Sequence, residues 1–282
     1  MAVPLQVAQG DLLGATAPRP CGAALWALSG ICEGSGTMHL SVIAAARGHE
    51  ANAATEWAGG PFAEHDWLWK SLCGAPDMAP DFLFRRWDVD GVPRAFVLTT
   101  QKPLPQCDTW EITTRDYAPR LTAGTRLPFH VRANPTVVET RDGRSQRQDV
   151  VTRAKMRLLG QHGFGSWEEW RGEDKPTFQT LVRETCGQWL DDRAARHGFQ
   201  LHTETLRAEG YCQHEQDDSR TLLVRQRADC GVPFSTVDLS GELTVVDPVT
   251  FIFALQRGIG RAKPFGCGLL LIDAADLSQS PA

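Results

Sequence analysis

Apolar positions along this chain alternate between two rhythms, a period of two and a period near 3.6, and the switches between them outline the elements. Residues 39–46 (HLSVIAAA) form a short, nearly continuous apolar run and predict a buried strand. After Gly59-Gly60-Pro61, residues 62–72 read as a helix, with Pro61 suited to its start. Phe62, Asp66 and Trp69 then share one side, and His65 lies three positions after Phe62. Residues 81–88 and 94–100 predict two strands around Asp90-Gly91, a hairpin turn pair. A less regular stretch runs to Gly124. Residues 126–134 (RLPFHVRAN) predict another strand, stopped by Pro135. The order matches a split βαβ unit, provided the irregular stretch holds the second helix.

A second series follows. Residues 136–149 are polar, contain Asp142-Gly143 and read as a linker. Residues 150–159 predict a helix, 160–175 a polar insertion, and 177–197 a long helix ended by Gly198. Residues 199–206, 221–228, 232–238 and 242–246 predict strands, the middle two forming a hairpin around Asp229-Cys230-Gly231. Asp247 and Pro248 cap a helix to Arg257, and residues 269–272 predict a last strand. The fold class expected is therefore α+β, two ferredoxin-like (βαββαβ) domains in tandem. The division is 38–135 for the first domain, 136–149 for a linker, 150–276 for the second domain and 277–282 for a tail. Residues 1–37, rich in Ala, Gly and Pro, read as an N-terminal extension, with Met38 the expected true start.

Composition narrows the classes. The chain has 282 residues, 42% apolar and 22% charged, which suits two globular domains. No apolar run approaches the roughly 18 residues that span a bilayer. The leader lacks the basic start of a signal peptide, so a cytoplasmic protein without membrane contact is expected. The eight cysteines show no CxxC spacing and the eight histidines no HExxH or HxxxH spacing, so no bound metal is expected. The net charge of -5 argues against nucleic acid until its distribution is considered. Residues 118–161 carry nine basic and three acidic side chains, whereas 162–219 carry six basic and twelve acidic. A basic face of that kind either holds phosphates or is solvated surface.

The densest chemical signal is GIGRAKPFGCG, residues 258–268. Gly258, Gly260, Gly266 and Gly268, with Arg261 and Lys263, lie between a helix and a strand. A dinucleotide fingerprint runs from strand to helix instead, and a Walker A loop needs Gly-Lys-Ser/Thr. Glycines let backbone N–H groups approach phosphates, and the two cations add charge. The pattern alone fits a phosphate-binding turn and a tight connection equally.

RANP (residues 132–135) together with GIGRAKPFGCGLL (258–270) resembles CasE, the repeat-processing endoribonuclease family of type I-E CRISPR systems. MHLSVI, HDWLW, DFLF, WLDDRAARHGF and SGELTVVDP resemble the family's motifs in their order and spacing, from Met38 almost to the end. The resemblance implies two ferredoxin-like domains and a repeat stem-loop as substrate. It also implies a place among the Cascade subunits, chiefly beside the backbone subunit. It implies no cofactor and no metal: the substrate's 2′-hydroxyl attacks the adjacent phosphate, leaving a 2′,3′-cyclic phosphate and a 5′-hydroxyl. His65 matches the family's active-site histidine, although by itself it would read as a half-buried helix histidine. The family often has a tyrosine one turn earlier, where this chain has Phe62, which can donate neither a hydrogen bond nor a proton. Arg225 and Arg227 alternate on a predicted hairpin strand and match a basic hairpin that enters the RNA groove. Arg132 and Arg193 complete the expected RNA contacts. The Phe62 departure keeps open a second reading, a non-catalytic subunit that holds the crRNA hairpin. A general RNA chaperone would expose paired stacking aromatics on an open sheet, and no such signature is present.

Overall fold

The computed structural model describes residues 37–72, 82–103, 108–141, 144–214 and 234–272. Two four-stranded antiparallel sheets carry the architecture. The first sheet contains β1 (Met38–Ala45), β2 (Phe82–Arg86), β3 (Arg94–Thr99) and β4 (Trp110–Tyr117), in the order β2-β3-β1-β4. Between β1 and β2 run α1 (Glu50–Glu56) and α2 (Gly60–Leu72). The second sheet contains β5 (Arg126–Ala133), β8 (Phe199–His214), β9 (Phe234–Val245) and β10 (Leu270–Ile272), in the order β10-β5-β9-β8. Helix α4 (Phe178–Ala194) connects β5 to β8, and α5 (Pro248–Arg257) connects β9 to β10. Between β5 and α4 stand a hairpin, β6 (Thr136–Arg141) and β7 (Arg144–Asp149), and α3 (Val150–His162).

Both sheets have the 4-1-3-2 strand order of a ferredoxin-like unit, so the expected fold class holds, with four corrections. The irregular stretch after β3 supplies strand β4, and its described residues contain no helix. The 126–133 strand does not close the first unit. It pairs with β9 and β10, Val131 opposite both Leu239 and Leu270, and so opens the second unit. The expected linker at 136–149 is the β6–β7 hairpin, and the strands expected at 232–238 and 242–246 form one strand, β9. The caps read from sequence are present: Asp247 accepts hydrogen bonds from Val249 and Thr250 N–H, and Gly198 takes a left-handed conformation after α4.

Period-two alternation sorts the first sheet's side chains. Ile43, Phe82, Phe84, Ala95, Val97 and Trp110 form one core with Trp57 and Leu68 from the helical side. Their neighbours Leu40, Leu83, Phe96 and Leu98 belong instead to the core of the second unit. A single pleat thus serves two cores, because adjacent residues of a strand face opposite ways. In the second sheet Leu127, Phe129, Val131, Val237 and Leu239 pack with Trp189, Leu190, Phe251 and Leu255 of α4 and α5. The opposite face turns a polar group to the first unit. Asp238 of β9 accepts from Arg132 Nε at 3.0 Å and from Arg85 of β2 at 3.3 Å.

Candidate active site

Helix α2 sits where the two units meet, and one ion-pair network fixes it. Arg86, at the end of β2, donates to Glu64 on α2 at 2.7 Å, to Asp88 at 2.7 Å and to the Trp57 carbonyl at 3.0 Å. Burial raises the Glu64 pKa, and Arg86 opposes that rise. The neighbouring residue, His65, is half-buried within a wall of rings. Its ring lies 5.8 Å from Trp69, 5.9 Å from Phe265 and 6.2 Å from Phe82. Phe62 packs 4.8 Å from Phe265 and 5.9 Å from Phe234, so the position where a tyrosine was expected does packing work. Phe234 stacks in turn on His214 at 4.8 Å. His214 meets Thr236 Oγ1 at 2.9 Å, and burial, then Arg132, lowers its pKa. These rings set an imidazole, a group able to take or give a proton, beside the glycine-rich turn.

Phe265 belongs to the glycine-rich turn, which packs on α2 and β2. Here the two readings of that turn separate. The amides of Gly258, Ile259, Gly266 and Gly268 donate to carbonyls of Ala254, Gly268, Lys263 and Arg132. These bonds engage the amides of Gly258, Gly266 and Gly268 within the protein itself. Gly268 has φ +89, and a Cβ there would lie 2.8 Å from the Ile259 carbonyl. Gly268→Ala should therefore cost about 2 kcal/mol of stability, from strain and backbone collision together. Chemical denaturation measures it, and a cost below about 0.5 kcal/mol would show that the turn relaxes freely.

The other half of the turn faces a cleft of about 350 Å³. Gly260 and Arg261 line it with Arg193, Arg196, His197 and Thr136. Arg193 lies 4.3 Å over the Trp189 ring and donates to the Trp189 carbonyl at 2.7 Å. Burial, then Arg196, lowers its pKa. Lys263 donates to the Arg257 carbonyl at 2.5 Å, which ties it to the end of α5. Arg132 forks onto Asp238, its partner on the neighbouring strand β9 of the same sheet, and its charge is engaged there. Arg225 and Arg227 lie outside the described residues, as does the 221–228 strand expected to carry them. The last described residue before them, His214, stacks on the first after them, Phe234, which stacks in turn on Phe265.

Sequence reasoning missed Arg196 and His197. The signal was present: they follow Arg193 by three and four positions and so share its helix face. It also missed Phe265, Phe234 and His214, which carry no local mark and meet only through the fold. A larger hollow, beside Trp167, Trp170 and Lys175 in the insertion after α3, contains none of the expected site residues. Among the described residues no cluster of three or more His, Cys, Asp or Glu side chains could hold a metal ion. Among them, too, no helix is long and apolar enough to cross a membrane.

Comparison with known proteins places this geometry in a lineage. Residues 38–273 match the model of a family described as CRISPR associated protein. The Cascade subunit CasE of Escherichia coli K12 is 26% identical over 222 residues, 77% of this chain and 94% of that protein. Two solved structures share the fold. Thermus thermophilus Cse3, bound to an RNA representing a pre-cleavage complex, superposes with a TM-score of 0.58 at 22% identity, covering 84% of this chain and 98% of that one. The CRISPR endoribonuclease Cse3 bound to a 19-nucleotide RNA gives 0.57 at 22% identity, covering 84% and 99%.

Proposed function

The chain belongs to the CRISPR associated protein family, with CasE among its relatives, and from that premise we propose that it cuts CRISPR repeat RNA at His65. The single observation that carries this reading is His65 itself: the histidine picked out by the motif order lies against the glycine-rich turn where the two ferredoxin-like units meet. The proposed substrate is the repeat stem-loop of the precursor transcript. Paired RNA presents phosphates and shape more than base edges, which suits a protein with a locally basic surface and an acidic total charge.

The proposed reaction needs no metal. The 2′-hydroxyl beside the scissile phosphate attacks phosphorus, and the 5′-oxygen of the next nucleotide leaves. His65 transfers a proton in one of these two events. The rings of Phe82, Trp69 and Phe265 beside His65 limit water around a bound phosphate and strengthen its polar contacts. Arg261 and Arg193 are the proposed phosphate contacts, with Arg225 and Arg227 on the stem. After cutting, the protein keeps the hairpin and joins the Cascade subunits, in the cytoplasm.

The test is gel analysis of an end-labelled repeat RNA incubated with excess protein in chelator. Cleavage at full rate, leaving a 2′,3′-cyclic phosphate and a 5′-hydroxyl, is expected. Binding without cleavage would leave the hairpin-holding subunit, the reading that Phe62 favours. Cleavage only with added magnesium would overturn the metal-free route.

A further inference from the structure

The cleft beside Gly260 holds more than the two proposed phosphate contacts, Arg193 and Arg261. Its described lining contains no carboxylate, while Arg193, Arg196 and Arg261 converge on it. His197 lies among them, and its pKa is lowered by burial first, then by Arg196, Arg193 and Lys263. Burial and these cations together oppose one more proton there. Val137 and Val138 of β6 also line the cleft, and Val138 is 63% exposed. An arginine cluster alone would suit any small anion. Arginines together with an apolar strand suit a nucleotide, its phosphate on the guanidiniums and its base over the valines.

The cleft and the His65 recess are reached from one turn. Gly260 lies against Trp189, and Phe265 against His65. Five residues separate the two glycine-turn positions, at most about 18 Å of chain. A strand whose scissile phosphate lies at His65 therefore needs only a few nucleotides to reach the arginines. We propose that the cleft formed by Arg193, Arg196, Arg261 and the Val137–Val138 strand binds a single-stranded nucleotide that flanks the repeat stem. This rests on the RNA-cutting reading above and adds to it a second binding point, specific for unpaired RNA.

The variants are Arg196→Glu and Val138→Asp, both at exposed positions, with the thermal unfolding midpoint checked against wild type. Affinity is measured for two RNAs, the repeat with its single-stranded flanks and the bare stem-loop. Each variant is expected to weaken binding of the flanked RNA about 10-fold, and to leave the bare stem-loop within about twofold. The salt dependence of the flanked RNA should flatten by about 0.7 in logarithmic slope for each phosphate the variant no longer neutralises. Equal weakening on both RNAs, or none on the flanked one, would overturn the proposal.

Calorimetry with adenosine 5′-monophosphate separates this result from the premise. If neither RNA binds wild type, the RNA-cutting reading fails and the flank proposal with it. If the mononucleotide still binds and Arg196→Glu abolishes that binding, the cleft is a site for free nucleotides. If both RNAs bind wild type with equal affinity, the flank proposal falls while recognition of the repeat stem stands.

Discussion

Replacing His65 with alanine is expected to slow single-turnover cleavage of repeat RNA by about 100-fold or more, the scale of lost general acid–base catalysis. Affinity for the RNA should change by less than about 1 kcal/mol, because a neutral imidazole makes few ground-state contacts. The side chain is half-buried at the edge of the ring wall, so its removal takes away some packing as well. His65→Gln, which keeps volume and a hydrogen-bonding end, separates the two effects. It should be nearly as slow as the alanine variant and closer to wild type in thermal stability. A pH–rate profile adds a further check. Any inflection that a titrating catalytic imidazole gives the wild-type profile should be lost in both variants. Wild-type cleavage rates for either variant would remove His65 from the reaction and return attention to the basic residues of the glycine-rich turn.

Replacing Asp238 with alanine should produce the largest loss of stability, about 3 kcal/mol. Asp238 accepts from Arg132 at 3.0 and 2.9 Å and from Arg85 at 3.3 Å. The Arg85 side chain is 7% exposed, so without the carboxylate its charge is left in a place water reaches poorly. Breaking a buried pair by removing one partner costs roughly 3–5 kcal/mol, and the low end applies because Asp238 keeps 28% of its side-chain exposure. In a chain of this size the unfolding midpoint should fall by roughly 6–12 °C. Asp238→Asn should lose nearly as much, since it fills the same space without the charge. Calorimetric unfolding decides the matter, and a fall under about 2 °C for both variants would mean that Arg85 finds other acceptors. The effect extends to function. Asp238 joins the sheet bearing β2, against which α2 and His65 are held, to the sheet from which the glycine-rich turn springs. Its loss should slow cleavage even at temperatures where the variant remains folded.

Local features of the chain were readable because they depend on neighbours in sequence. Asp247-Pro248 starts α5 because a carboxylate caps free N–H groups and proline needs none. Gly198 ends the α4 region because glycine reaches the left-handed conformation without steric cost. Most strands between 38 and 272 followed from apolar runs and alternation. His65 was legible only through the order of motifs, since a lone histidine on a helix carries no signal of its role.

The partners of those elements were decided elsewhere. The 126–133 strand alternates equally well for either unit; Val131 lying between Leu239 and Leu270 assigns it to the second, a match of register across more than 100 residues. The glycine-rich turn read equally as a cradle or a connection. Its amides, bonded to nearby carbonyls at three of the four glycines, make half of it a connection. The other half, Gly260 and Arg261, gained a cleft because the end of α4 and strand β6 come to lie beside it. Sequence by itself determined the longer helices, most strands and the caps, though not β4 or the β6–β7 hairpin, because those energies arise within a few residues. Tertiary structure alone decided which sheet each strand joins, which cations line the cleft and which are bound to carboxylates, because those energies depend on burial and on partners far along the chain.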